Sequence, residues 1–433
     1  MNRDAIKIGL LGLGTVGTGV MRVLHDNAAD IARKVGVPLR VEKILVRDAA
    51  KARTLAVDKS LLTTKAADIL ANPEIDLVIE LMGGEHPAKD YILTAMKQGK
   101  HVVTANKDVV AKHGKELFDT AAASRVDFQF EASVGGGIPI IRPLKQCLAG
   151  NKIQEIIGIV NGTTNYMLTK MSQEGCDFHA VLQEAQEKGY AEADPTADVG
   201  GLDAARKIAI LASIAFSSRI GVDDVYVEGI TQITPGDIAY ARELGYVIKL
   251  LGIAKEVDGQ VEVRVHPAFI PQTHPLASVN DVFNAIFVKG DAVGETMFYG
   301  RGAGELPTAS AVVADVIDVA RDIVHNISSR ILCTCFNNKP LRSMEEVPSS
   351  FYVRLIALDK PGVLATIAGA FGSQGVGLQS VIQKRKVDCN AEVVLVTDKV
   401  AEKHVRNALR VLEADDVVRE IGNVIRVEGG NLS

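Results

Sequence analysis

The segment Gly189-Tyr190-Ala191-Glu192-Ala193-Asp194-Pro195, followed by Asp198, Gly200, Gly201, Asp203 and Lys207, sets four carboxylates ahead of one lysine. The glycine pair would end a loop, and Asp203 and Lys207 would lie one turn apart on the same face of the helix that follows. Such an i,i+4 pair is most often a solvated surface bridge, and spacing alone favours that reading. The same pair is also what hydride chemistry requires. A lysine beside carboxylates can hand a proton to a carbonyl oxygen as hydride reaches its carbon, which neutralises the forming alkoxide. Glu192, Asp194, Asp198 and Asp203 could grip a substrate ammonium group, or equally stand as solvated loop acids.

A partner for such chemistry is legible near the N-terminus. The apolar run Ile6–Leu11 leads directly into Gly12-Leu13-Gly14-Thr15-Val16-Gly17, and a helical pattern continues to about Asp26. This is the dinucleotide-binding fingerprint in its proper context of strand, turn and helix. Gly12 permits the tight turn, Gly14 lets backbone approach a pyrophosphate, and Gly17 lets helix and strand pack closely. Free amides at the helix start, including those of Thr15 and Val16, would hold the phosphates. After the second strand comes Val46-Arg47-Asp48. Arg47 suits the extra phosphate of NADP, whereas Asp48 leaves NAD possible.

Two further segments end strands. Thr104-Ala105-Asn106-Lys107 lies where open α/β sheets bind ligands, so Lys107 could meet the nicotinamide or a substrate carboxylate; a helix-capping Asn106 beside a solvated lysine is the alternative. Glu131-Ala132-Ser133-Val134-Gly135-Gly136-Gly137-Ile138-Pro139 is a glycine-rich turn. Its oxygens could hold a hard cation, although spacing alone favours a hinge. His86, His266 and His274 have no partners at metal-ligand spacing. The cysteines Cys147, Cys176, Cys333, Cys335 and Cys389 are expected as buried thiols.

Elements that would position these residues follow from periodicity. Strand-like runs at Val41–Val46, Leu77–Leu81, His101–Thr104 and Val126–Phe130 alternate with helical patterns, predicting a doubly wound Rossmann-type α/β domain over 1–131. Residues 132–325 predict an α+β domain with an open mixed sheet. It includes a hairpin at Asp258-Gly259, and a helix near 305–325 returning to the first domain. Residues 326–350 are polar and proline-bearing, as in a linker. Residues 351–430 run β-α-β-β-α-β, a ferredoxin-like order.

Composition limits the function classes. The 433 residues are 47% hydrophobic and 23% charged, with a net charge of −5 and no basic block. No nucleic-acid surface and no membrane span are expected, and a cytoplasmic location is.

Taken together, these motifs resemble homoserine dehydrogenase, in the longer monofunctional bacterial form with a C-terminal ACT domain. The resemblance rests on GLGTVG at 12–17, TANK at 104–107, EASVGGGIPII at 131–141 and NGTTNYM at 161–167. GYAEADP at 189–195, GLDAARK at 201–207 and DKPGVL at 359–364 complete it. It implies reversible NAD(P)H-dependent reduction of L-aspartate 4-semialdehyde to L-homoserine, on the route to threonine and methionine. It implies Lys207 as general acid/base, with Asp203 and Glu192 on the substrate. Lys107 would lie by nicotinamide and substrate, with Gly189 and Gly304 by the cofactor. Glu131 with the carbonyls of Val134, Gly136 and Ile138 would hold a monovalent cation, sodium. The ACT region implies L-threonine as effector, through Asp359–Leu364 and the Gly375–Gly377 turn, in a homodimer or homotetramer.

Overall fold

The computed structural model describes residues 4–429 apart from 54, 329, 332, 388 and 389, so Cys389 lies outside the described residues. Six short strands lead: β1 (Ile6–Leu11), β2 (Leu39–Leu45), β3 (Leu62–Thr63), β4 (Leu77–Glu80), β5 (His101–Thr104) and β6 (Phe128–Gln129). They pair in parallel in the order β3-β2-β1-β4-β5-β6. The chain switches sides between β1 and β4, which opens a crevice at the carboxyl ends of those strands. The central strands are buried on both faces, with Ile6, Ile8, Leu10 and Leu11 of β1 and Leu77, Val78 and Ile79 of β4 in the core. One face is covered by the helices Thr15–Asp26 and Glu305–Val324, whose Val20, Val312 and Val316 join the same core. The two helices meet at Gly19, where an added Cβ would stand 2.5 Å from the Glu305 carbonyl oxygen.

Further along lie β7 (Ile153–Ile159), β8 (Tyr226–Val227), β9 (Tyr246–Val257), β10 (Gln260–Pro271), β11 (Phe283–Gly290) and β12 (Gly294–Arg301). The β9–β10 hairpin turns at Asp258-Gly259, both with positive φ (52° and 78°). That geometry matches the right-handed twist of long paired strands. The last segment contributes β13 (Pro348–Leu358), β14 (Leu378–Val387), β15 (Asn390–Thr397), β16 (Val400–Ala401) and β17 (Val418–Val427). These strands run antiparallel in the order β17-β13-β15-β14, the split β-α-β arrangement. Helices Val363–Ser373 and Glu402–Glu413 cover one face through Ile367, Phe371, Val405 and Leu412.

The chain gathers into two compact units that do not follow the sequential boundaries expected near 131, 325 and 350. One comprises residues 1–156, 206–224 and 284–338, the other 157–205, 225–283 and 339–433. Long-range pairing explains the second. β17 pairs in parallel with β10, so the last segment shares a sheet with the β9–β10 hairpin. The expected linker is partly drawn in as well, since Val261 donates to Pro340 O and Arg342 to Val261 O, both at 2.9 Å.

The expectation of buried thiols is not met. Cys147 is exposed, and Cys176, Cys333 and Cys335 are half-buried. Cys147 closes a helical turn at the surface, and Cys333 and Cys335 border a cavity instead of filling the core. Among the histidines, His86 is exposed, while His266 and His274 are buried. No group of three or more metal-ligating side chains exists among the described residues.

Where β10 meets the chain end, Arg264 is only 2% exposed. It donates to Glu262 and Glu428, each at 2.7 Å, and to the His266 ring at 3.2 Å. Burial pushes the Glu428 carboxyl up, but the charges of Arg264 and Lys255 outweigh it and hold it well below the usual carboxylate range. A carboxyl lowered in the folded state contributes stability that is complete above its unfolded pKa and is lost as pH falls below it. Glu428→Ala is therefore expected to cost roughly 1–3 kcal/mol in urea unfolding near neutral pH, because one arm of the buried Arg264 guanidinium loses its acceptor while Glu262 still pairs the other. Its stability should also decline less than that of the parent as pH falls below about 4.5.

Candidate active site

β1 delivers the chain into the glycine turn by local geometry alone. Gly12 has φ +102° and sits so close to Leu81 that a Cβ would stand 2.8 Å from its carbonyl oxygen; at Gly17 it would meet Gly12 O at 2.3 Å. At Gly14 nothing of the protein lies within 4 Å, which leaves room for a ligand rather than for packing. The helix begins at Thr15 with no side-chain cap, and its first backbone bond runs from Thr18 N to Gly14 O. The amides of Thr15, Val16 and Gly17 precede that bond, so they are the donors a helix start offers to phosphate. Beyond β2, Arg47 is exposed and makes no hydrogen bond or ion pair with the described residues. Asp48 is occupied locally, its Oδ1 accepting from Ala50 N at 2.7 Å.

The carboxyl ends of β4 and β5 are tied by Glu80, which is fully buried. Its carboxylate accepts from Thr104 Oγ1 at 2.6 Å and from Met82 N at 2.7 Å. Burial raises its pKa, and these hydrogen bonds offset part of the rise. Thr104 thus spends its hydroxyl inside the protein. Asn106 caps the helix Lys107–Ser124, accepting from Val109 N at 3.2 Å, and its amide donates to Gly84 O at 2.7 Å. Lys107 is the first residue of that helix and half-buried. Next to it, Asp108 pairs with Arg206 Nε at 2.6 Å. One ion pair thereby brings Lys107 and Lys207 each within one residue of a common bridge.

The helix Leu202–Ala215 carries Asp203 and Lys207 one turn apart, as the spacing implied. Asp203 is 3% exposed, and the expected surface bridge is ruled out for that reason. The organiser is Asn161. Its Nδ2 donates to Asp198 Oδ1 at 2.7 Å and Asp203 Oδ2 at 2.9 Å. Its Oδ1 caps the helix Gly162–Glu174 by accepting from Thr164 N at 2.8 Å. Of the four acids expected to cluster, Asp198 and Asp203 converge. Glu192 is exposed, and Asp194 turns back to accept from Thr196 N at 3.1 Å. Gly189 lies exposed in the turn after the helix Phe178–Glu187, and Gly304 precedes the helix Glu305–Val324.

The Glu131 carboxylate is not left open to a cation. Both carboxylate oxygens are consumed by backbone amides, Oε1 by Ile140 (2.5 Å) and Ile141 (2.7 Å) and Oε2 by Arg142 (2.7 Å). A hard cation there would have to be met by main-chain carbonyls instead. Gly136 (φ +55°) tolerates no side chain, since a Cβ would lie 2.2 Å from Gly302 O.

A separate cavity of about 440 Å³ lies along the last segment, lined by Asp359–Leu364, Gln383 and Val393 among others. The Gly375–Gly377 turn does not line it.

Comparison with known proteins bears on the family of the chain as a whole. The homoserine dehydrogenase family model matches residues 139–317, and the model of the homoserine dehydrogenase NAD-binding domain matches residues 12–131. The chain belongs to the homoserine dehydrogenase family. It is 43% identical to homoserine dehydrogenase of Bacillus subtilis, over 99% of this chain and 100% of that one. A homoserine dehydrogenase structure from Thiobacillus denitrificans superposes with a TM-score of 0.93 at 45% identity, covering 98% of each chain. A hyperthermophilic archaeal homoserine dehydrogenase solved with NADPH has a TM-score of 0.63 at 25% identity, covering 73% of this chain and 97% of that one. As homoserine dehydrogenases are oxidoreductases, the chain is an enzyme of that class with a nucleotide-binding Rossmann domain.

Three functional positions escaped the sequence reading. Glu80 ends an apolar strand with an acid at the ligand-binding edge, a signal that was available. Asn161 follows a strand and opens a helix, which marks an N-cap but gives no hint of the two aspartates it holds. The Asp108–Arg206 pair joins residues far apart in sequence and left no local trace. Replacing Asn161 by alanine removes donors from a buried carboxylate, a loss of about 1–3 kcal/mol. Steady-state kinetics should show kcat/KM for the amino-acid substrate down by about tenfold to a hundredfold, with NADPH affinity within about twofold of the parent. Equal losses in both would assign Asn161 a merely structural role.

Proposed function

We propose that the enzyme reduces L-aspartate 4-semialdehyde to L-homoserine with NADPH, reversibly, on the route to threonine and methionine, and that Lys207 is its general acid/base. The observation that carries this reading is buried Asp203 one turn before Lys207 on one helix, whose Arg206 is bridged to Asp108, beside Lys107. When bound, the reduced nicotinamide supplies hydride to the aldehyde carbon. Lys207 donates the proton to the aldehyde oxygen, and in the reverse direction accepts it from the hydroxyl. Asp203 and Asp198, fixed by Asn161, receive the substrate ammonium together with Glu192, and Asp203 orients Lys207. Lys107 faces the substrate carboxylate and the nicotinamide side.

The cofactor lies on the amides of the Gly12–Gly17 turn, with Thr104, Gly189 and Gly304 around it. NADP is preferred to NAD because Arg47 is exposed at the strand end with no partner among the described residues, while Asp48 is occupied locally. The NADPH bound by the archaeal relative is in keeping with this. A sodium ion would be held by the main-chain carbonyls of Glu131, Val134, Gly136 and Ile138 and would stiffen the turn. The exposed Met297 and Tyr299 of β12 give a second copy an apolar strand face, for a homodimer or homotetramer. No described helix is long and apolar enough to cross a membrane, and a cytoplasmic location is proposed.

The last segment is read as an ACT domain that takes L-threonine in the Asp359–Leu364 cavity. A physical route for feedback supports this. Arg426 of β17 binds Glu402 at 2.8 and 2.9 Å and Glu228 at 2.7 Å. Glu228 precedes Gly229 and Ile230, and Ile230 N bonds Val199 O at 2.9 Å, just before the glycine pair that opens the Asp203 helix. An effector that favours one arrangement of this network shifts the whole population.

Nicotinamide absorbance with NADPH and L-aspartate 4-semialdehyde tests the reaction. Lys207→Ala should lower kcat by about a hundredfold or more while leaving NADPH affinity intact; unchanged turnover would refute the assignment. Adding L-threonine should slow the parent enzyme, and Glu228→Gln should raise the half-inhibiting concentration by about fivefold or more. Turnover indifferent to threonine would remove the effector and leave the enzyme.

A further inference from the structure

Outside the reaction chemistry, one cluster of nucleophilic side chains gathers around a cavity of about 180 Å³. Cys333 and Cys335 border it, with Phe118, Phe130, Lys145 and Arg219 on its other walls. Phe336 N donates to Thr334 O at 3.0 Å, a tight turn centred on Cys335. The Cys335 thiol reaches the Ser213 carbonyl at 3.6 Å, on the helix that carries Lys207. Thr334 Oγ1 is buried with no hydrogen-bond partner.

Lys145, with Lys112, Lys115 and Arg219, makes the cavity lining cationic. Its ammonium stands over the rings of Phe118 and Phe130, 5.1 and 5.3 Å from their centroids. It sits in the π-helical turn Pro143–Cys147, a rare backbone form that recurs at functional sites. Burial lowers the Lys145 pKa, opposed by the neighbouring sulfurs. The neighbouring Cys335, together with the charges of Lys145 and Arg219, holds the Cys333 thiol below the ordinary cysteine value. The Cys333 contact and burial push the Cys335 thiol up. The Cys335 proton is directed at the Ser213 carbonyl, while Cys333 borders the same cavity as the Lys145 and Arg219 cations, the division of labour between a resolving and an attacking cysteine.

We propose that Cys333 and Cys335 are a peroxide-reactive dithiol, with Lys145 as the cation that activates Cys333. The Cys333 thiolate attacks a hydroperoxide oxygen, forming an S–O bond as the O–O bond breaks. The departing oxygen takes a proton and leaves as water or alcohol. Cys335 then loses its proton and attacks the Cys333 sulfenic sulfur, and the hydroxyl leaves as water. Two thiols are oxidised by two electrons and one hydroperoxide is reduced, so no other reactant is required. Reach is not a barrier. Two peptide steps place the Cα atoms at most about 7.6 Å apart, and disulfides span roughly 4.4–6.8 Å.

The reduced full-length protein is treated with hydrogen peroxide, alkylated with iodoacetamide and digested with trypsin. The 331–342 peptide should lose two hydrogen atoms, escape alkylation and recover both alkylation sites after dithiothreitol. The Cys147 and Cys176 peptides should stay alkylated throughout. Cys335→Ser should leave a dimedone adduct on Cys333, and Cys333→Ser should give none on Cys335. Lys145→Met should slow disulfide formation near pH 7 by about tenfold and move the alkylation midpoint of Cys333 to higher pH. Should that variant misfold, peptide mapping of the parent and of the two cysteine variants decides the matter alone. A 331–342 peptide fully alkylated after peroxide, or Cys147 or Cys176 oxidised first, would overturn the proposal, as would a folded Lys145→Met protein that oxidises at the parent rate.

Discussion

The side-chain amide of Asn161 is the joint on which the acidic half of the chemistry rests. A carboxylate removed from water must be met by donors, or its burial costs several kcal/mol. Asp203 is so removed, and Asn161 meets it and Asp198 with one NH2 group. The opposite end of the same side chain is spent on capping a helix, so the fork cannot rotate away without releasing Thr164 N. Rigid secondary structure thereby fixes the acids, which a flexible loop alone would not do. The strain-free glycine bend before Leu202 lets the helix start where Asp203 can turn inward.

The same logic recurs in the nucleotide-binding unit. Glu80 ties the ends of β4 and β5 through Thr104 and Met82, and Glu131 gathers three consecutive amides. In each case an acid acts as an anchor for backbone and not as a reactant. The ion pair of Asp108 with Arg206 extends the pattern, since each partner adjoins one of the two lysines assigned to the chemistry. Electrostatic preorganisation of this kind costs nothing at the moment of reaction, because the donors are already aimed.

How much of this was legible depended on sequence distance. The strand, glycine turn and helix of the nucleotide site are local, and each residue's role follows from its neighbours; Gly12 and Gly17 are demanded by backbone contacts within a few residues or one strand away. The β9–β10 hairpin was equally readable from Asp258-Gly259 between apolar runs. The Asp203–Lys207 spacing was visible, but its burial was not, because that depends on Asn161 forty-two residues earlier. Four neighbouring acids looked alike, yet Asp194 is taken by its own turn and Glu192 faces solvent. The parallel pairing of β10 with β17 joins strands more than 150 residues apart, and periodicity carries no register across such a gap.

A crystal structure of the enzyme with NADPH and L-homoserine, a combination that cannot react, tests the proton-transfer geometry most directly. The substrate hydroxyl is predicted within about 3 Å of Lys207 Nζ, with its ammonium group directed at Asp198 and Asp203. A hydroxyl held instead by another donor, with Lys207 more than about 5 Å away, would contradict the assignment of Lys207 as the acid/base.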